Sequence, residues 1–184
     1  MNYELLFRQA LDAVSDESFI YVFYPGLYLD SYVFDDSLSG KGFEVSEKAL
    51  FSQEYAGCNG VALIGDRFGA LSHYNLDLGN ADSQLKEMVR EFFKMDDCPQ
   101  AFLIGGRRSH ANFNRNILER AGIPISGEYV DGFGFDNPSS LSRYPLPAKD
   151  VLVIPREGVV IVRAVKGLSK QFKKVYKYYV MNKK

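Results

Sequence analysis

Cys58 and His73 bracket the stretch Cys58-Asn-Gly-Val-Ala-Leu-Ile-Gly-Asp-Arg-Phe-Gly-Ala-Leu-Ser-His73. A thiol held beside an imidazole is a nucleophile with its base, the pairing used for covalent attack on amides and esters. The spacing supports that pairing. Val61 to Ile64 is an apolar run, Gly65-Asp66 is a turn signal, and Gly69 to Ser72 is a small-residue return, so the stretch reads as a β-hairpin. With Gly65-Asp66 as the two central turn residues, Ile64 faces Arg67, and stepping outward residue by residue brings Cys58 opposite His73. Opposed residues of an antiparallel pair share a face, with Cβ atoms roughly 5 Å apart. A three-residue turn would instead send one of the two side chains to the other face.

The surroundings of Cys58 fit a reactive role better than a packing one. Gly57 and Gly60 allow close backbone approach by a substrate, and amide groups there could hold an oxyanion. Asn59 is polar where a plain core strand would carry Val or Ile. The other reading of Cys58 is a small buried hydrophobe. Cys98, in an acidic loop beside Pro99, has no such setting. The chain has two histidines, so acid–base chemistry near neutral pH has few candidates, and His110 reads as a first-turn helix residue.

The elements that must position this pair follow from hydrophobic periodicity. Tyr3, Leu6, Phe7, Ala10, Leu11 and Val14 recur at helical spacing, with Asn2 as N-cap, for a first helix ending near Asp16. Phe19 to Tyr24 and Leu27 to Phe34 read as strands separated by Pro25-Gly26. Leu85, Met88, Val89, Phe92 and Phe93 mark a second helix, and Ala101 to Ile104 a short strand. Gly105-Gly-Arg-Arg108 could cradle an anion at the start of the next helix, or be a tight turn with solvated arginines. That third helix carries Phe113, Ile117, Leu118 and Ala121, capped by Ser109 and stopped at Gly122-Ile-Pro124. Ile123 to Val130 reads as a strand, and Val151 to Ile154 with Val159 to Val162 as a second hairpin around Pro-Arg-Glu-Gly. Together these predict a mixed α/β (α+β) fold, a largely antiparallel β-sandwich with flanking helices, in one domain over 1–165. The segment 166–184 carries Leu168, Phe172, Val175, Tyr176, Tyr179 and Val180 at helical spacing among seven lysines. It reads as a basic amphipathic C-terminal helix, able to pack on its own domain, a partner or a membrane surface.

Composition narrows the class. The 184 residues are 46% hydrophobic and 24% charged with net charge −1, so no bulk electrostatic attraction to nucleic acid is expected. No stretch approaches the ~18 apolar residues of a membrane span, and no secretory signal is visible at the N-terminus. Two cysteines without ligand spacing favour neither a disulfide framework nor a metal site, and fit a reducing compartment. A cytoplasmic location is expected, with secretion that needs no cleaved signal as the alternative.

Taken in order, Ala56-Gly57-Cys58, Gly69-Ala-Leu-Ser-His73, the helix through Met88, Leu103-Ile-Gly-Gly106, Leu118-Glu-Arg-Ala-Gly-Ile-Pro124 and the hairpin from Val151 to Val162 resemble the CheD family of chemoreceptor glutamine deamidases. The resemblance spans roughly 51–164. It implies an α/β/α-type sandwich related to the catalytic domains of the cytotoxic necrotising factors and other deamidating toxins. It also implies Cys58 as nucleophile, His73 as base, and Ser52 at the position of the family's catalytic threonine. The chain departs from the family in its lead to the cysteine, Ser52-Gln-Glu-Tyr-Ala-Gly57, and in Asn59-Gly60 after it. Residues 1–50 and the lysine-rich tail are not accounted for by a minimal member.

The activity so implied converts a protein glutamine to glutamate, releasing ammonia, with no cofactor and no metal. Its substrate would be a chemoreceptor, or a host protein if the chain is a secreted effector. Two rival readings stand beside it: a transglutaminase, thiol hydrolase or peptidase using the same pair, and a non-catalytic binding or adaptor module with an inert Cys58.

Overall fold

A computed structural model describes residues 2–12, 19–21, 42–53, 55, 58–74, 81–105, 108–130, 147–166 and 174–184. The strand expected over Leu27 to Phe34 and the residue Gly57 lie outside them. The described elements are α1 (Tyr3–Asp12), β1 (Phe19–Tyr21), β2 (Phe43–Ser46), β3 (Ala49–Ser52), β4 (Asn59–Ile64), β5 (Gly69–Ser72), α2 (Ala81–Phe92), β6 (Gln100–Gly105), α3 (Arg108–Arg120), β7 (Ile125–Tyr129), β8 (Pro147–Ile154), β9 (Val159–Lys166) and β10 (Lys174–Asn182).

The strands form two five-stranded sheets, ordered β1-β3-β8-β9-β10 and β2-β5-β4-β6-β7. Only β1–β3 and β6–β7 among their pairings are parallel, so the fold is the mixed, largely antiparallel sandwich the sequence predicts. Alternation along each strand sorts side chains into three cores. Ala62, Ile64, Leu71, Phe102 and Ile104 of the second sheet meet Leu50, Val151, Val153, Val160 and Val162 of the first, forming the core between sheets. Val61, Leu63 and Leu103 point the other way, under Leu85, Met88 and Phe92 of α2 and Ala111 and Leu118 of α3. On the far side of the first sheet, Phe51, Leu152 and Ile161 are covered by Phe7 of α1. Asn2 caps α1 through its side-chain oxygen, which accepts from the Leu5 amide at 3.2 Å.

Three local expectations are corrected. The β4–β5 turn has four residues, with Gly65 N–H donating to the Phe68 carbonyl at 2.9 Å, and Ile64 pairs with Gly69 rather than facing Arg67. The cause is Asp96, just past α2, whose carboxylate accepts from the amides of Arg67 (3.0 Å) and Phe68 (3.3 Å). A side chain on Gly65 would collide with that carboxylate, so the glycine makes room for the clamp. Ser109 does not cap α3, since the helix already begins at Arg108. The C-terminal segment from Lys174 on is a strand and not part of a helix: β10 runs antiparallel to β9 over its whole length, from Lys174 opposite Lys166 to Asn182 opposite Val159, while 167–173 of the expected helix lie outside the described residues. Its Val and Tyr residues favour a pleated surface. Tyr179 and Met181 pack on the core between sheets while Tyr178 turns toward Tyr3 and Phe7 of α1. A strand apolar on both faces shows no period of two, and its residues coincided with a helical spacing.

Candidate functional site

The site lies between the two sheets, where β5 ends opposite β3. The register of the hairpin shifts by two residues from the expected one, and an even shift keeps Cys58 and His73 on the same face. His73 now opposes Gly60, and Cys58 sits diagonally, two residues beyond. The ladder itself changes character at this point. Regular pairing covers 62–64 with 69–71 and resumes where Asn59 bridges Tyr74. Between them the Ser72 hydroxyl accepts from Val61 N–H at 2.9 Å, and the Ser72 carbonyl accepts from the Tyr55 hydroxyl at 2.8 Å. Gly60 is what admits the Tyr55 ring: a Cβ there would lie 2.6 Å from both Tyr55 Cε1 and the Ser72 carbonyl oxygen.

His73 is fixed on three sides. Its amide donates to the Gly42 carbonyl at 2.8 Å. Its ring stacks on Tyr55, with centroids 3.8 Å apart and planes at 11°. Its Nδ1 is 2.9 Å from Ser52 Oγ, which comes from β3 of the opposite sheet. Both residues are buried. Burial removes the imidazole from water and pushes it down to about 3, so the ring is neutral at physiological pH. Cys58 is half-buried and packs against the core between sheets that contains Tyr55.

Of the residues singled out from sequence, the fold therefore brings Ser52 into hydrogen-bond contact with His73 and sets Cys58 on their side of the sheet. Gly60 lies at the same place, shaped around Tyr55. Asn59 does not join them. Its side chain points to the helix face, where Nδ2 is 2.7 Å from Nδ1 of His110, beside a Tyr74 hydroxyl donating to Asn114 Oδ1 at 2.7 Å. The polar side chain of Asn59, expected beside a reactive cysteine, thus forms a buried link between β4 and α3. That link also gives His110, in the first turn of α3, a packing role.

Two residues of the site were not expected. Tyr55 orients the imidazole by stacking, and Lys149 of β8 enters from the first sheet. Lys149 is 2% exposed, and its Nζ donates to the Tyr55 carbonyl at 3.4 Å, while the Tyr55 amide donates to the Lys149 carbonyl at 2.9 Å. The sequence signal for it was the pair Lys149-Asp150 leading an otherwise apolar strand. Among the described residues no group of three or more His, Cys, Asp or Glu is placed to hold a metal ion. Nor is any described helix long and apolar enough to cross a membrane.

What this arrangement can do chemically is nucleophilic attack by a thiol, assisted by a neutral imidazole whose second nitrogen is held by a hydroxyl. No family model matches the chain, and no curated protein matches it. Among solved structures it is similar to the crystal structure of the hypothetical protein YfiH of Bacillus licheniformis, at 13% identity over 71% of each chain and a TM-score of 0.41. That is a generic likeness of fold, and no residue role is carried across it.

Proposed function

We propose that the chain is a cysteine-dependent amide hydrolase that deamidates a protein glutamine, the activity implied by the CheD-like order of its motifs. The observation that carries the reading is the buried Ser52–His73 hydrogen bond on the side of the sheet that Cys58 occupies. With Nδ1–H donating to the Ser52 hydroxyl, Nε2 is left to accept a proton, and the stacked Tyr55 keeps the ring from turning.

In the reaction the Cys58 thiol gives its proton to His73 as its sulfur bonds to the carboxamide carbon. His73 passes that proton to the departing nitrogen, which leaves as ammonia, and the carbon is left as a thioester. Water, deprotonated by His73, then hydrolyses the thioester, yielding glutamate and restoring the thiol. By the same resemblance the substrate is a chemoreceptor, or a host protein for a secreted effector. Mass spectrometry of candidate substrates tests the reading. Conversion of glutamine to glutamate, a gain of about 1 Da per site, is expected with the native chain and is lost in Cys58→Ser. Conversion that persists in Cys58→Ser would overturn it.

A further inference from the structure

The hairpin ends do not set Cys58 and His73 face to face. The pair between them is Asn59 with Tyr74, with Cys58 one step before Asn59 and His73 one step before Tyr74. Neighbours on such a diagonal are about 7–8 Å apart, so a small slide of either strand end decides whether thiol and imidazole meet. The bridge is closely bonded: Asn59 N–H donates to the Tyr74 carbonyl at 2.9 Å, and Tyr74 N–H to the Asn59 carbonyl at 3.0 Å. The regular ladder stops short of it, at Ala62 and Leu71. Alongside, β6 pairs Gly105 with Asn59 and β2 pairs Phe43 with Ser72, so each neighbouring strand steadies one end of the bridge. Helix α3 holds both ends. Asn59 Nδ2 is 2.7 Å from Nδ1 of His110, and the Tyr74 hydroxyl donates to Asn114 Oδ1 at 2.7 Å. His110 and Asn114 are four residues apart, hence on one face of the helix, and both are buried with Ala111 and Leu118. Apolar contacts have no preferred direction, whereas a hydrogen bond fixes direction as well as distance.

We infer that His110 and Asn114 are positioning residues: by gripping Asn59 and Tyr74 they set the separation of Cys58 and His73 on the other face of the sheet. The inference rests on reading that pair as the reactive one. Strand alternation carries the effect across the sheet. Asn59 and Tyr74 project toward α3, so residues 58 and 73, one step away on each strand, project into the space between the sheets. There Ser52 and Tyr55 aim the imidazole. The grip from α3 adds where that imidazole sits relative to the thiol. A misplacement of ~1 Å can cost roughly 100-fold in rate, which makes such a grip consequential.

The test is the nuclear Overhauser cross-peaks between the Cys58 β-protons and the His73 ring, recorded on the full chain. They are expected in the native protein. Tyr74→Phe and His110→Phe each cut one arm of the grip with little change of shape. Together they should abolish these cross-peaks, while those between Ala62 and Leu71 of the regular ladder remain. His110→Asn, which offers an acceptor near the place of Nδ1, should keep the cross-peaks that His110→Phe weakens. Cross-peaks unmoved in a folded double variant whose urea midpoint has fallen would show a merely structural link, and cross-peaks missing from the native chain would show no held pair. Either result sinks the inference. If the double variant does not fold, Tyr74→Phe alone decides, because it deletes a single oxygen atom: weakened cross-peaks support the grip and unmoved ones refute it. The Cys58 thiol separates this inference from the reading beneath it. Alkylation by iodoacetamide at pH 7, with Cys98→Ser removing the exposed second thiol, should slow about 10- to 100-fold in the double variant. Cross-peaks lost with alkylation unchanged sink the reading of Cys58 and His73 as a reactive pair and spare the grip. Alkylation slowed by His73→Gln, with cross-peaks unmoved by the double variant, does the reverse.

Discussion

At the scale of single residues, the hydroxyl on His73 Nδ1 separates an imidazole that is merely buried from one that is aimed. Ser52→Ala removes that hydroxyl and leaves a buried ring nitrogen to find another partner. The expected result is a fall in kcat of about 10- to 100-fold with little change in KM, because the ring's orientation matters to proton transfer and not to substrate docking. Ser52→Thr, which keeps a hydroxyl, should return most of the rate. The 15N shifts of the His73 ring report the tautomer without any substrate, and an unchanged tautomer in Ser52→Ala would sink this role. Cys58 and His73 were legible because thiols and imidazoles are few in this chain and their spacing suits a hairpin. Lys149 was not, since it reaches Tyr55 from 94 residues away, and no local pattern encodes that approach.

At the scale of elements, register decides which side chains meet, and a residue outside the hairpin fixes it here. Glycine and aspartate at 65–66 read as a two-residue turn. The loop takes four because Asp96 offers the Arg67 and Phe68 amides a better partner than strand pairing would. Asp96→Ala is expected to cost about 1–3 kcal/mol, because it strips the amides of the loop's second half of their acceptor. A urea midpoint equal to that of the native chain would show that the clamp is dispensable. The shift of two residues kept Cys58 and His73 on one face, so their shared side survived an error in the turn. No such tolerance protected the tail. Tyr179 and Met181 serve the core between sheets and Tyr178 the one under α1, and β10 was hidden because its pattern is set by what lies on each side of it. Helices α2 and α3, with a single apolar stripe against one sheet face, were the easiest elements to read.

At the scale of the whole molecule, burying His73 between two sheets ties stability to pH. The folded chain holds this imidazole neutral down to about 3, whereas in the unfolded chain it takes up a proton near 6.5. Below 6.5 the unfolded state therefore binds the extra proton, and stability falls with pH by up to about 1.4 kcal/mol per unit, levelling off near 3. Two other groups titrate lower. Glu4 is held below its ordinary 4.5, chiefly by the Tyr178 hydroxyl. Asp96 is pushed up by burial, but the amides it clamps outweigh this and hold it below 3.8. Both contribute stability above those values and lose it only at more acid pH, so the interval from 6.5 to 4.5 isolates the histidine from them. Across it the free energy of urea unfolding should drop by about 2 kcal/mol in the native chain, and the slope should flatten in His73→Gln. Equal slopes in the two proteins would mean that His73 is not held neutral by the fold. In the resting fold His73 takes no proton from bulk solvent until about pH 3, and during turnover its proton comes from Cys58. Loss of turnover toward acid pH should accordingly follow the unfolding curve, rather than a separate titration near 6.5.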